Sequence, residues 1–332
     1  MVWTILERYQ QFLAPRVEDP PVARVVQVVV LRWTDSYAIF TTEGDAINTE
    51  TTRAGYQDHG SITRAVLFKR KQTAVERRTG KEWRRAYAEQ MDIPAIWNGI
   101  RNDREIESIV RCALTQNLCG ACPDCILYGF AAQEEAKGSI PSRVWIDSAF
   151  TIGPADDAVR LFTLNAVDEI THQTGTALAE QEHLQPGIVF PAVETLMNVS
   201  AEELVYVLAN ILRTRRYGAQ TSRTGVVQNR ILGVFFGDTE KFTNLDLCRR
   251  LYDRLSDDGR DWNQLLPEDV QTIWPEVMHE VLKSYDGVLK PMEEWPEFRK
   301  QLSALMSDEA QVVALLRRLE QQAAEYARRK TG

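Results

Sequence analysis

Four of the five cysteines lie close together, in the spacing Cys112-x6-Cys119-x2-Cys122-x2-Cys125. A two-residue gap lets a tight turn direct two thiolates at one ion, and zinc prefers four such ligands in a tetrahedron. Clustered cysteines in a chain of this size favour a metal site in a reducing compartment over a set of disulfides. Because four cysteine ligands leave no open position for water, the spacing predicts a structural zinc site.

Two other interpretations of this cluster stay open. The C-x2-C-x2-C run also begins the binding motif of iron–sulfur clusters, whose next cysteine should come four residues later and precede a proline. Gly129 and Phe130 stand at those positions, which argues against an iron–sulfur cluster. The remaining alternative is a group of free thiols without a metal.

Two arginine-rich blocks stand out from a chain whose net charge is -8. Basic block 1 is FKRKQTAVERRTGKEWRRAY, residues 68–87, and basic block 2 is LRTRRYGAQTSRTG, residues 212–225. Lysine and arginine neutralise phosphates whatever the base sequence, and a glycine-bounded loop with hydroxyls suits a sugar-phosphate backbone passing close by. The blocks therefore favour nucleic-acid binding on one basic surface, although a charge run can also be a solvated helix face.

Basic block 1 reads as a helix. Helical spacing brings four of its cations near a common face: Arg77, Lys81, Arg84 and Arg85. Trp83 or Tyr87 could offer a ring to a nucleobase. For Trp83, however, a place in the hydrophobic core is the better explanation.

Asp45 and Asp58 lie in a polar stretch, residues 43–60, which we predict to be a loop. Carboxylates there could hold Mg²⁺ for phosphodiester cleavage, but a solvated loop explains them more simply. The four histidines are scattered, which favours structural roles for them. The sequence contains no Walker motif, no GxGxxG and no GxSxG.

The order of predicted elements indicates an α+β fold. Apolar periodicity and turn residues predict strands at 25–31, 143–152, 160–168, 188–199 and 231–236, helical segments within 65–87 and 106–114, a helix over 201–217, and helices from 245 onward. The helix at 201–217 has a capping box, Ser200 with Glu203, and Gly218 as its expected stop. Strand, basic helix, two strands with a protruding hairpin between them, helix and strand fit the βαββαβ ferredoxin-like plan of RNA-recognition domains.

Length and composition set wider limits. A chain of 332 residues with 44% hydrophobic residues can bury a large core, as one decorated domain or two smaller ones. No stretch approaches the roughly 20 apolar residues of a membrane span. The charged N-terminal segment does not fit a signal peptide, so we expect a cytoplasmic protein without a membrane partner.

Several segments together resemble the RAMP superfamily of CRISPR backbone subunits. CPDCILYGF (residues 122–130) and SRVWIDSAF (142–150) are similar to its cysteine-pair, Leu-aromatic-Gly and Ser-Arg-Val patterns. The two basic blocks resemble the type I-D member, the Csc backbone family, and residues 174–190 resemble its thumb hairpin and return strand. These segments run from about residue 42 to 236, and their combination is more specific than any one of them.

The resemblance implies a domain organisation. Residues 1–111 would form the first part of a ferredoxin-like (RRM) palm with the basic insertion, and 112–142 an inserted zinc-binding and helical subdomain. Residues 143–240 would complete the palm and carry the thumb β-hairpin at about 169–187. Residues 241–332 would be a helical C-terminal region.

The resemblance also implies a function, that of a guide (crRNA)-binding backbone subunit of a type I-D Cascade complex. Such subunits stack head to tail along the guide through sequence-independent contacts and leave its bases free to pair with target. The implied partners are crRNA, target DNA or RNA, other copies of the chain, and the large, small and crRNA 5′-end-capping subunits. The implied guide-contacting residues are Lys69, Arg70, Lys71, Arg77, Arg78, Arg215, Arg216, Tyr217, Thr221, Arg223 and Thr224.

Two alternative functions stay open. Related type III subunits cut target RNA with a loop aspartate, and here Asp45 or Asp58 would have to take that part in a metal-dependent endoribonuclease. From the residues alone, a zinc-containing DNA-binding regulator is also conceivable, although such proteins use a recognition helix and usually a symmetric dimer. We expect a binding subunit more than an enzyme.

Overall fold

The computed structural model describes residues 2–17, 21–42, 44–114, 116–131, 138–218, 220–257, 262, 265–285 and 287–331. The strands are β1 (Val25–Thr34), β2 (Thr49–Arg53), β3 (Ser61–Leu67), β4 (Phe130–Ala131), β5 (Ser139–Ile140), β6 (Val144–Ile146), β7 (Ala149–Phe150), β8 (Val159–Val167), β9 (Thr174–Leu184), β10 (Val189–Met197), β11 (Val227–Gly237) and β12 (Leu289–Pro291). The helices are α1 (Val2–Leu6), α2 (Lys69–Ala86), α3 (Ala88–Met91), α4 (Ile93–Trp97), α5 (Asp103–Val110), α6 (Pro123–Tyr128), α7 (Ala201–Arg213), α8 (Asn244–Asp257), α9 (Pro267–Ser284), α10 (Trp295–Ser307) and α11 (Glu309–Thr331). Short 3₁₀ helices follow α1 and precede β8.

A five-stranded sheet in the order β12-β11-β1-β10-β6 forms the centre of the molecule, and all its neighbouring strands are antiparallel. β1 lies in the middle and is buried on both faces. Val26 and Val28 face a core shared with α7, α10 and α11, whereas Val29 and Leu31 face a core shared with α8 and α9. This two-sided burial explains why β1 reads as a continuous apolar run instead of an alternating one.

The predicted strands at 25–31, 188–199 and 231–236 are confirmed, and β1 and β11 extend further than predicted. The predicted strand at 143–152 splits into two short strands, β6 and β7, that belong to different sheets. The prediction of a continuous loop at 43–60 is wrong, because β2 lies within it and pairs with β3. β2 reads TETTR and is largely exposed, so it carries no apolar alternation that a sequence pattern could reveal.

The capping box at the start of α7 is confirmed: Ser200 Oγ accepts from Glu203 N, and the Glu203 carboxylate accepts from Ser200 N. The predicted helix end is wrong, since α7 stops at Arg213 and the following Thr214 is extended, with φ -74° and ψ 127°. Because the chain turns out of the helix at Thr214, the Tyr217 ring enters the core, where it is fully buried. Burial of that ring outweighs the few further helical hydrogen bonds.

The β8–β9 ribbon is a two-stranded hairpin that pairs with no other strand among the described residues. Its first strand is the segment predicted as an independent strand at 160–168, so the hairpin begins before residue 169.

The described parts of the predicted zinc-binding region, 112–142, and of the predicted helical C-terminal region, 241–332, pack into the cores on the two faces of the sheet. Residues of 112–131, including Cys122 and Leu127, belong to the same apolar cluster as α7 and α11, and residues 132–137 lie outside the described residues. In the C-terminal region, α8 and α9 cover one face of the sheet while α10 and α11 join the core on the other. No helix within the described ranges combines the length and apolarity needed to cross a bilayer.

A buried charge cluster ties α2 to the sheet. Arg32 of β1 donates to Glu76 of α2 (2.6 Å) and to Glu194 of β10 (2.7 Å), and all three side chains are fully buried. Burial, reinforced by the neighbouring Glu76 carboxylate and opposed by Arg32, raises the pKa of Glu194 well above its usual value. The buried hydroxyls of Tyr217 and Tyr128 are further titratable groups near Glu76 and Glu194. The fold therefore favours the protonated form of Glu194.

This protonation predicts a pH dependence of stability. A carboxyl whose pKa is raised on folding contributes stability below its unfolded pKa and loses that contribution as the pH rises towards the folded value. We expect the free energy of unfolding to fall as the pH rises above the usual carboxyl pKa, by at most ~1.4 kcal/mol per pH unit. Glu194→Gln, measured by urea denaturation across this range, should flatten the slope, while the exposed control Glu309→Gln should not. Equal slopes for wild type and Glu194→Gln would contradict the assignment.

Candidate nucleic-acid interface and metal centre

The two basic blocks meet in one groove. α2, which carries basic block 1, lies beside α7 and the loop after it, which carry basic block 2. The groove between them has a volume of about 830 Å³. Its lining includes Arg78, Thr79, Glu82 and Tyr87 from the first block and Arg213, Arg215, Arg216 and Thr221 from the second. We call this cleft the α2–α7 groove.

Close approach of the two helices shapes the α2–α7 groove. A Cβ atom at Gly80 would lie 2.4 Å from the Tyr206 hydroxyl and 2.6 Å from Asn210 Nδ2, so only glycine fits between α2 and α7 here. Thr214 Oγ1 lies 3.0 Å from Thr79 Oγ1 and joins the helices one turn further on. The two helices are therefore packed directly against each other beside the groove.

Trp83 lies in the core, as expected, and is 3% exposed. Its ring stacks on Tyr206 at an interplanar angle of 2°, and the Arg213 guanidinium lies 4.6 Å from the Trp83 ring centroid. This cation–π contact holds Arg213 at the groove wall. Arg213 was part of basic block 2 but not among the predicted contacts, because its place at a helix C-terminus needs no ligand to explain it.

The loop after α7 presents several polar groups to solvent. The side chains of Arg215, Thr221 and Arg223 are exposed, and Arg216 donates to the backbone carbonyl of Thr224. Gly225 N donates to Tyr37 O (2.7 Å), and a Cβ atom at Gly225 would come within 2.3 Å of that oxygen. The glycine thus lets this loop lie against the chain that follows β1.

Two predicted contact residues of this loop face inward. The Tyr217 side chain is fully buried and its hydroxyl donates to Glu76 (2.9 Å). Thr224 is also buried, and its Oγ1 accepts from Ile39 N (3.0 Å). Neither side chain is accessible to a ligand, so their prediction as contacts is corrected to one of holding the loop in place.

Basic block 1 divides between two sides of α2. Arg78 lies in the α2–α7 groove and donates to Gly218 O (3.2 Å). Lys71 donates to Thr41 O, and burial, helped by the charge of Arg70, lowers the pKa of Lys71. Lys69 and Arg70 line a second groove of about 660 Å³ beside the edge strand β6. The predicted contacts of this block therefore do not share one surface.

The predicted common face of Arg77, Lys81, Arg84 and Arg85 is directed largely at the cysteines. Arg77 is buried and donates to Gly129 O (2.8 Å) and to Cys125 Sγ (3.4 Å), so its prediction as a guide contact is corrected. Lys81 Nζ lies 2.7 Å from Cys112 Sγ. Arg84 pairs with the buried Glu320 and donates to Ile109 O. The exposed Arg85 donates to Cys112 O (3.1 Å).

The four clustered cysteines converge on one point. All four Sγ atoms lie within 4.8 Å of one another, and none forms a disulfide. The separations are 3.6 Å for Cys112–Cys125 and 3.9 Å for Cys119–Cys125. A tetrahedral zinc site with Zn–S bonds of ~2.3 Å requires sulfur atoms roughly 3.8 Å apart. The donor set and its geometry could therefore hold a metal ion.

The surroundings of the cluster favour the thiolate form of Cys112, whereas contacts with Cys112, reinforced by burial, raise the pKa of Cys119 and Cys125. Backbone amides of Ala121 and Cys122 donate to Cys119 Sγ (3.4 and 3.3 Å). Contacts with the other three thiols, and the charge of Lys81, lower the pKa of Cys112 far below its usual value. Burial opposes the charged form of Lys81, but the negative sulfurs of Cys122 and Cys125 outweigh it and raise the pKa of Lys81.

Asp45 and Asp58 lie in separate loops. The Asp45 backbone carbonyl accepts from Glu182 N at the base of the hairpin (2.9 Å). Asp58 accepts from Gly60 N (2.8 Å), and its other oxygen lies 3.5 Å from the Tyr252 hydroxyl. Within the described ranges, neither belongs to a group of three or more potential metal ligands, a condition that the four cysteines alone meet.

Comparisons with known proteins give a family match and a similar fold. The family model described as Csc2 Crispr matches residues 12–316. Among solved structures, the crystal structure of Thermofilum pendens Csc2 is 20% identical, with a TM-score of 0.65 over 97% of this chain and 95% of that chain. A CRISPR RNA-guided surveillance complex, pre-nicking, gives 14% identity over 64% and 75% of the two chains, and its TM-score of 0.40 is too low to carry an argument. No curated protein matches the chain.

Proposed function

Because this chain belongs to the Csc2 CRISPR family, we propose that it is a guide-binding backbone subunit of a type I-D Cascade complex. In this proposal the subunit binds crRNA through sugar-phosphate contacts and stacks with other copies of itself along the guide. The observation that carries the proposal is the α2–α7 groove, where two basic blocks more than a hundred residues apart in the chain form one cleft. Such a cleft suits a phosphodiester strand because cations line both of its walls.

The sheet supports a ferredoxin-like palm. Its strands β1, β6, β10 and β11, taken in chain order, lie in the spatial order fourth, first, third, second and are antiparallel to their neighbours. α2 follows the first of these strands and α7 follows the third, which corresponds to a βαββαβ chain path. The β8–β9 ribbon, inserted between the second and third strands, corresponds to the thumb.

The guide contacts that we propose form a smaller set than the sequence predicted. Four of them line the α2–α7 groove with exposed or half-buried side chains: Arg78, Arg215, Arg216 and Thr221. The other two are the half-buried Lys71 on α2 and the exposed Arg223, which lies two residues after Thr221. Arg215 and Arg223 are the most informative of them, because they are exposed and have no side-chain partner within the described residues. Lys69 and Arg70 would contact nucleic acid only from the second groove.

We further propose that Cys112, Cys119, Cys122 and Cys125 hold a structural zinc ion, which when bound would fix α6 and the preceding loop to α2. Four thiolates and Zn²⁺ carry a net charge of about -2. Two buried cations, Lys81 and Arg77, lie against these sulfurs. Buried cations need negative partners, and zinc-bound thiolates would supply them in addition to the buried Asp124 carboxyl, so the charge balance supports the metal-bound form.

The alternative functions have less support. For metal-dependent cleavage of target RNA, Asp45 and Asp58 would each need further ligands, which the described surroundings do not bring together. For a DNA-binding regulator, the cations would be expected along one projecting helix, whereas here they line a cleft between two helices and a loop. Proposed partners are crRNA, target DNA or RNA, other copies of the chain, and the large, small and 5′-end-capping subunits of Cascade.

Binding measurements on the purified chain test the proposal. Single-stranded RNAs of equal length and unrelated sequence should bind with similar affinity, because the contacts are to phosphate and ribose. The logarithm of the association constant should fall linearly with the logarithm of salt concentration, with a slope of about -0.7 per phosphate contact. Fluorescence anisotropy at several salt concentrations gives both quantities. A strong preference for one sequence, or for duplex DNA, would count against a guide-binding backbone subunit.

A further inference from the structure

Three aromatic rings form a continuous strip at the base of the β8–β9 ribbon. The Tyr37 and Phe162 ring centroids are 4.8 Å apart at an interplanar angle of 78°, and Phe162 and His183 are 5.0 Å apart at 83°. The strip is open to solvent, since Tyr37 is 43% exposed and Phe162 is 36% exposed. Clustered exposed aromatic rings are a feature of binding surfaces more than of ordinary protein surface.

The strip adjoins the basic loop of the α2–α7 groove. Tyr37 O accepts from Gly225 N, and Ser36 Oγ accepts from Val226 N (2.9 Å), so residues 36–39 run beside the end of that loop. Arg216, which lines the groove, donates to Thr224 O in the same loop. The aromatic strip therefore continues the surface that carries the cations.

The strip is held rigidly on its other side by the hairpin. Ala38 N donates to Leu184 O (3.0 Å) and Leu184 N donates to Ala38 O (2.8 Å), which pins the chain after Tyr37 to the end of β9. His183 precedes Leu184, and its Nδ1 lies 3.1 Å from Gln181 O. Because both sides are fixed, the rings are positioned in advance of any ligand.

We propose that the Tyr37–Phe162–His183 strip is a stacking site for an unpaired nucleobase of single-stranded RNA. The proposal rests on the proposed function, because the base would belong to a strand whose phosphates lie along basic block 2. Stacking on an aromatic ring is tolerant of base identity, since every base has a π face, so it agrees with binding that does not depend on sequence. It differs from the proposed phosphate contacts in one measurable respect, in that an uncharged contact releases no counterion.

Variants of the strip test the proposal when their binding is measured with two single-stranded RNAs of equal length, one with bases and one without. Tyr37→Ala and Phe162→Ala should each weaken binding of a base-bearing RNA about tenfold and leave the salt slope unchanged. Binding of an RNA of equal length made of abasic residues should not respond to either change. Tyr37→Phe, which keeps the ring, should bind as the wild type does. A 2-aminopurine base in the RNA should be quenched by wild-type protein and not by Tyr37→Ala.

Leu161→Ala is the matched control, because Leu161 is 60% exposed and alternates with Phe162 across the same strand. Three outcomes would overturn the inference: unchanged affinity of both alanine variants, an equal loss on abasic RNA, or a defect in association between copies of the chain without RNA. If Arg215 and Arg223 variants weaken binding while the aromatic variants do not, the guide-binding proposal stands and the stacking site fails. If none of these variants changes binding, the guide-binding proposal fails as well.

Discussion

Cys122→Ser should abolish stoichiometric zinc binding and destabilise the whole fold. Cys122 is fully buried and belongs to the core cluster that also contains α7 and α11, so the four-cysteine cluster adjoins the main core. Structural zinc sites contribute roughly 10 kcal/mol or more of binding free energy in small domains, and a protein of this kind is stable by only ~5–15 kcal/mol in total. Loss of one thiolate also leaves the buried Lys81 and Arg77 without part of their counter-charge, a change that costs about 3–5 kcal/mol in other buried ion pairs.

Metal analysis and urea denaturation measure the two effects. We expect one zinc per wild-type chain, none retained by Cys122→Ser after dialysis, and a free energy of unfolding lower by at least ~3 kcal/mol, or no soluble folded protein. Cys248→Ser is the matched control: Cys248 is also buried, but it packs against Arg64 and Thr151, away from the cluster. It should keep its zinc. Iron in the wild type, or a stable metal-free wild type, would contradict the zinc site.

Arg215→Ala combined with Arg223→Ala should weaken binding of single-stranded RNA about 25-fold at 0.1 M salt. Each lost phosphate contact removes ~0.7 from the salt slope, which at this concentration corresponds to about fivefold in affinity. The loss should be the same for unrelated sequences, because phosphates carry no base identity. Both side chains are exposed, so we expect little change in stability.

Arg299→Ala is the control for this pair, since Arg299 is an exposed arginine on α10, outside the lining of the α2–α7 groove. It removes one positive charge and should leave the slope within the error of the wild-type value. A loss confined to some sequences would indicate base recognition instead of backbone recognition. An unchanged slope in the double variant would mean that the two arginines do not reach the RNA.

The buried charges explain why the predicted guide contacts do not all lie on one accessible surface. The cations of basic block 1 recur at helical spacing, which predicts that they share one surface. The block is helical, as this spacing predicts. Arg77 and Lys81 are nevertheless turned towards the cysteines, while Lys69 and Arg78 lie in two different grooves. A helical pattern gives the relative directions of side chains but not which direction faces the ligand.

Local signals were sufficient for several elements. The run that forms β1 and the capping box of Ser200 and Glu203 depend on neighbouring residues, and both were predicted correctly at their starts. The end of α7 was missed because it depends on a distant contact, the burial of Tyr217 against Glu76. The ring of Tyr37 carries no pattern at all, and its neighbour Phe162 lies far away in the chain.

The amino-acid sequence by itself determined the four-cysteine spacing, the acidic chain with two basic blocks, the α+β order of elements and the resemblance to a CRISPR family that the family match confirms. These follow from residue type and short-range spacing, which the chain carries before it folds. Only the tertiary structure decided that one side of α2 faces the clustered cysteines while another lines a groove. The physical reason is that a charge acquires its role from what packs within a few ångströms of it, and those neighbours are brought together by folding.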